Sequence, residues 1–132
     1  MVNNMSSYYF YDGKPKIKLI VKTIILLANK HDISIDSIAL IGGWAKKLNS
    51  NNCIFPDNIA SIFEVESLIG KSDKCEGDVD LLVFVETLHH NWTLVLLDEF
   101  NNDIASSEKN GMVDIVLSLP TALRPPGIKL VL

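Results

Sequence analysis

Three aspartates and a pair of glycines are the residues of this chain whose types and spacing could do chemistry. Asp78 and Asp80 stand in Gly77-Asp78-Val79-Asp80, at the head of the apolar run Leu81 to Val85. Side chains alternate faces along a strand, so the two carboxylates share a face, about 7 Å apart at the backbone. Two such groups can converge on one cation, and hard oxygen donors suit Mg²⁺ or Mn²⁺ better than zinc. Asp114 lies inside Met112-Val113-Asp114-Ile115-Val116-Leu117, with apolar residues on both sides. A strand that is otherwise buried rarely holds an unpaired carboxylate, so Asp114 is expected to join the same site or to pair with Lys109 or Arg124. Three carboxylates together could hold two cations about 3.5–4 Å apart, an arrangement that polarises a phosphate.

Gly42-Gly43 closes the apolar run Ser37 to Ile41. A strand that ends in glycine and leads into a helix exposes backbone N–H groups to an anion and lets a phosphate come close. Lys46 and Lys47 are expected on the first turn of that helix, where they would add positive charge.

The elements that must position these groups follow from the periodicity. Residues 14–31 read as a helix, with Pro15 in its first turn and Ile17, Ile20, Val21, Ile24, Leu27 and Ala28 on the buried side. Lys14, Lys18 and Lys22 fall on another side and read as a solvated face. Strands are predicted at Ser37–Ile41, Val79–Val85 and Met112–Leu117, with Val79–Val85 buried on both faces. A short helix is predicted at Trp44–Leu48, and a longer one at 91–107 capped by Asn91, with Leu97, Phe100 and Ile104 inward. Residues 57–69 fit either a helix capped by Asp57 or a strand. Residues 1–13 read as a tail or edge strand ending in the Asp12-Gly13 turn, and Ile128–Leu132 as an extended edge. The alternation implies an α/β or α+β fold, a mixed sheet covered by helices.

At 132 residues the chain suits one domain. Residues 1–48 carry seven lysines against three aspartates, and residues 49–132 five basic residues against thirteen acidic ones. The overall charge of −4 argues against a duplex nucleic-acid binder. Cys53 and Cys75 have no metal-ligand spacing and read as free thiols. The longest apolar stretch, Ile17 to Ala28, is too short to span a bilayer. The expectation is a soluble, cytoplasmic protein without a membrane partner. His89-His90 and Glu86 read as surface residues beyond the far end of the Asp-x-Asp strand.

Ile41-Gly42-Gly43-Trp44-Ala45 followed by Gly77-Asp78-Val79-Asp80-Leu81-Leu82 resembles the signature of the DNA polymerase beta-like nucleotidyltransferase superfamily. The Gly-Gly-Trp-Ala form is similar to that of the aminoglycoside and lincosamide nucleotidyltransferases. The resemblance covers roughly residues 33–118 and implies the nucleotidyltransferase fold for a single domain, 1–132. It implies that Gly42 and Gly43 hold the phosphates of a nucleoside triphosphate such as ATP, with Lys46 and Lys47 nearby. It further implies that Asp78 and Asp80 ligate the metals, Mg²⁺ or Mn²⁺. Asp114 would be the third carboxylate, completing the metal site and accepting the proton of a hydroxyl acceptor. Pyrophosphate would leave.

The chain departs from the family pattern in three ways. Residues 49–75 look like an insertion. Lys46-Lys47 stand where the antibiotic-modifying members commonly have an apolar residue and an acid. The further helical domain of larger members does not follow the third carboxylate strand, so the acceptor is expected to be bound by a partner subunit, by the insertion, or not at all. The short chain also resembles the minimal nucleotidyltransferases of toxin–antitoxin pairs. That implies a helical toxin partner, with homodimerisation as another way to complete the site. A relative that only binds nucleotide, and a two-metal nuclease, are the remaining readings.

Overall fold

The computed structural model describes residues 8–49, 58–72, 78–101, 112–120 and 127–132. The chain opens on a small hairpin, β1 (Phe10–Tyr11) against β2 (Lys14–Pro15). Asp12 and Gly13 join the two strands with φ of 54° and 77°. Positive φ at both central residues is what a two-residue hairpin of this hand requires, and the Asp-Gly pair supplies it cheaply. The predicted helix therefore starts later than expected. Lys14 and Pro15 form the returning strand of the hairpin, and helix α1 runs Ile17–Lys30.

Strand β3 (Ile35–Ile41) follows, then helix α2 (Gly42–Asn49). The ambiguous stretch 57–69 is both things in turn. It gives strand β4 (Ile59–Ser61) and then helix α3 (Ile62–Lys71). The cap of α3 is Ser61, whose hydroxyl accepts the Phe63 N–H at 3.2 Å, and Asp57 lies outside the described residues. Strand β5 (Val79–Val85) matches the predicted strand, and helix α4 (His90–Asn101) follows with Asn91 inside it rather than capping it. The continuation of that predicted helix to 107, Ile104, the Asn110-Gly111 turn, both cysteines, Lys109 and Arg124 lie outside the described residues. Strand β6 (Val113–Ser118) and strand β7 (Ile128–Val131) complete the chain.

The main sheet is mixed, with the order β4-β7-β3-β5-β6. β3 runs antiparallel to β5 and β7, while β4–β7 and β5–β6 are parallel pairs. The tail strand β7 is thus interior, not an edge. Its extra neighbour is β4, from the stretch 49–75 that reads as an insertion in sequence, and α3 from the same stretch packs into the core.

One face of the sheet carries the core. Ile38 and Leu40 of β3, alternate residues Val79 to Val85 of β5, Val113 and Ile115 of β6, and Ile128 and Leu130 of β7 are buried together with the inward faces of all four helices. The inward face of α4 is Trp92, Leu96 and Phe100, and Leu97 is only half-buried. The architecture is mixed α/β, a five-stranded sheet with its helices gathered into one core. No helix among the described residues is long and apolar enough to cross a membrane.

A candidate carboxylate site at the strand ends

Register decides which of the candidate residues meet. Asp80 lies opposite Ile41 in the antiparallel β3–β5 pair and opposite Asp114 in the parallel β5–β6 pair. Neighbouring strands are about 4.8 Å apart, so Asp80 and Asp114 are the closest cross-strand neighbours possible. Both occupy the face of the sheet opposite the core, because Val79 and Leu81, and Val113 and Ile115, point the other way.

The Asp80 carboxyl is held protonated above its ordinary carboxylate range. Burial is the largest cause, followed by a hydrogen bond with Asp114 and by the charges of Asp114 and Asp78. Two like charges side by side repel, and a cation between them would relieve that repulsion.

Gly42 brings the third element. It follows Ile41 directly, opens α2, and has φ of 71°. A Cβ on Gly42 would fall on the Asp80 carboxylate, 3.0 Å from its Cγ. The glycine is therefore required twice, by its backbone conformation and by the carboxylate pressed against it. Gly43 is the second residue of α2 and is exposed.

Asp78 is placed differently. It precedes β5, and its Oδ1 accepts the Met112 N–H at 3.0 Å, while the Val79 N–H donates to Met112 O at 2.8 Å. Asp78 ties the start of β5 to the start of β6 while remaining close enough to act on Asp80 electrostatically. Among the described residues, no group of three His, Cys, Asp or Glu side chains is disposed to hold a metal ion. What is assembled is the pair Asp80–Asp114, with Asp78 at its margin. Hard oxygen donors drawn together against their charge fit a divalent cation such as Mg²⁺.

Two expectations are corrected. Lys46 and Lys47 lie in the last turn of α2, not the first, because the helix begins at Gly42. Lys47 Nζ is instead over the Trp44 ring, 5.7 Å from its centroid. β6 is not an otherwise buried strand. It is an edge strand in which Asp114 and Val116 are exposed, so Asp114 is placed by register and not by the cost of burial. Sequence reasoning also passed over one residue of this face. Lys129 pairs with Ala39, which pairs in turn with Leu82, so it stands on the carboxylate face. The signal was the alternation of Ile128 and Leu130, both buried, with Lys129 and Val131, both exposed.

Glu86 and His89 are exposed beyond the other end of β5. Six residues of strand separate Glu86 from Asp80, roughly 20 Å. Neither belongs to the carboxylate site. In comparisons with known proteins, no family model, no curated protein and no solved structure matches this chain.

Proposed function

We propose that the chain is a metal-dependent nucleotidyltransferase that moves a nucleoside monophosphate from a triphosphate to a hydroxyl acceptor. The observation that carries this reading is the contact of Gly42 with Asp80 beside Asp114. One glycine-opened helix and two carboxylates from adjacent parallel strands meet at one point. A nuclease needs only the carboxylates, and it gives the backbone N–H groups that open α2 no ligand.

In this reading the backbone N–H groups at Gly42 and Gly43 receive the phosphates. Asp80 and Asp114 would hold Mg²⁺, with Asp78 fixing the two strands that carry them. When bound, the ion would supply charge neutralisation for a triphosphate and its pyrophosphate leaving group. Asp114, exposed at the sheet edge, accepts the proton of the attacking hydroxyl. Lys129 stands on the same face of the sheet, on the far side of β3 from Asp80. The fold proposed is accordingly the nucleotidyltransferase fold. The mixed sheet with carboxylates on two adjacent parallel strands supports it.

Calorimetric titration of ATP, GTP, CTP and UTP, with and without Mg²⁺, tests the reading. Metal-dependent binding of a triphosphate that disappears in Asp80→Asn/Asp114→Asn is expected. Equal binding by that variant would remove the carboxylates from the site.

A binding-module reading draws on a different feature. Val21, Ile25, Leu26, Ile62, Phe63 and Leu132 line an apolar groove of about 260 Å³ between α1 and α3. Leu26, Phe63 and Leu132 are 58%, 60% and 61% exposed. Such a surface suits a partner's amphipathic helix. Co-purification with a helical protein, abolished by Phe63→Asp, would favour this role; an unchanged complex would remove the groove from it.

A further inference from the structure

We propose that the cavity between the β1–β2 hairpin, the start of α1 and the end of α3 is a second ligand site, for a small phosphomonoester with a flat or apolar body. Its volume is about 560 Å³. That lies within the roughly 300–1,000 Å³ of small-molecule sites. Its apolar walls are Tyr11, Pro15, Leu19 and Ile69, and Lys14, Lys16, Lys18 and Lys22 also line it.

A solvated helix face would spread such lysines into water. Here they come from a strand, a connecting residue and a helix, and all four line one cavity. Two are fixed in place. Lys14 Nζ donates to Gly70 O at 3.1 Å, and Lys18 Nζ sits over the Phe63 ring, 4.5 Å from its centroid. The ammonium groups of Lys16 and Lys22 have no hydrogen bond or ion pair among the described residues.

Asp12 and Glu66 are the acidic residues lining the cavity, which leaves two positive charges over. Glu66 is committed elsewhere in part, since its Oε1 accepts the Lys18 backbone N–H at 3.1 Å. One N–H of the first turn of α1 is thus already engaged, and the attraction for an anion comes from the side chains. A dianionic phosphate matches the uncompensated charge, and lysine binds phosphate as a point charge without demanding a fixed geometry. Tyr11, 64% exposed at the rim, offers a ring face to a planar body.

The site shares no residue with the Gly42–Asp80–Asp114 cluster, and it does not depend on the transfer reaction proposed there. That separation sets the experiment. AMP and inorganic phosphate are titrated in EDTA, without Mg²⁺, into the wild type, Lys16→Gln/Lys22→Gln and Asp80→Asn/Asp114→Asn. Saturable AMP binding is expected in the wild type and in the aspartate variant. It should weaken at least about tenfold in the lysine variant, the least that losing a charged hydrogen bond costs. It should also fall with salt.

Amide shifts in ¹H–¹⁵N spectra should gather at residues 11–22 and 66–70, not at 41–46 and 78–80. Spectra of the free lysine variant that overlay the wild type elsewhere establish its fold. The absence of binding in EDTA, or equal affinity in the lysine variant, would overturn the proposal. So would inorganic phosphate binding as tightly as AMP, because the apolar walls would then contribute nothing. AMP binding that needs Mg²⁺ and vanishes in the aspartate variant belongs to the carboxylate site and also overturns it. Failure of triphosphates to bind at the carboxylates leaves this site untouched.

Discussion

Gly42 and Asp80 constrain each other at the scale of single residues. Gly42→Ala must either abandon φ of 71° or push its methyl into the Asp80 carboxylate. A residue with a Cβ in that region costs on the order of 1–3 kcal/mol before any contact is counted. The expected result is a fall in stability of that order together with loss of triphosphate binding, read by denaturant melts and calorimetry. A variant that binds as the wild type does would show that the turn is not the phosphate cradle.

Asp80 carries a pH signature. Its folded pKa is raised, so the folded state keeps a proton that the unfolded chain has already released. Stability is unaffected below the unfolded value of about 3.9 and declines as pH rises from there. The full penalty is reached above the folded pKa. Asp80→Asn removes it, so the variant should melt higher than the wild type at pH 7 and lose that advantage near pH 3.5. Equal melting temperatures at pH 7 would mean that the carboxyl is not under strain.

The elements explain why some of the site was legible in the sequence and some was not. β5 could be read because Leu81 to Val85 is apolar on both faces, and the aspartates mark where it begins. The glycine turn could be read because it ends an apolar run. The contact of Asp80 with Asp114 could not, since it depends on a parallel register with β6 that no local pattern specifies. Nor could the place of β7. Its parallel neighbour β4 is three residues long, too short for a two-residue period to stand out from the helix that follows. Lys46 and Lys47 were misplaced by one boundary, because a helix starting at Gly42 puts them near its other end.

The cap that separates β4 from α3 is a testable joint. Ser61→Ala removes the acceptor for the Phe63 N–H. It should cost about 1 kcal/mol in a urea melt, the usual worth of an N-cap hydroxyl. No loss would mean that the chain turns from strand to helix on packing alone.

At the scale of the whole molecule, the carboxylate pair is held together at a cost that a ligand can relieve. β5 lies in the sheet interior, and Val79, Leu81, Val83 and Val85 are locked into the core. Asp80 therefore cannot retreat from Asp114 without disturbing the centre of the fold. A cation bound between them relieves their repulsion only in the folded state, so binding must stabilise the whole chain. A triphosphate with Mg²⁺, at a hundred times its dissociation constant, adds about 2.7 kcal/mol. For a chain of this length that raises the melting midpoint by roughly 10 °C. Chelation with EDTA should return the midpoint to its starting value. Asp80→Asn/Asp114→Asn should show no shift, because it has lost the donors. A shift of the same size in that variant would locate the stabilising ligand elsewhere, and the lysine-lined cavity at the start of α1 is where the amide shifts would then be sought.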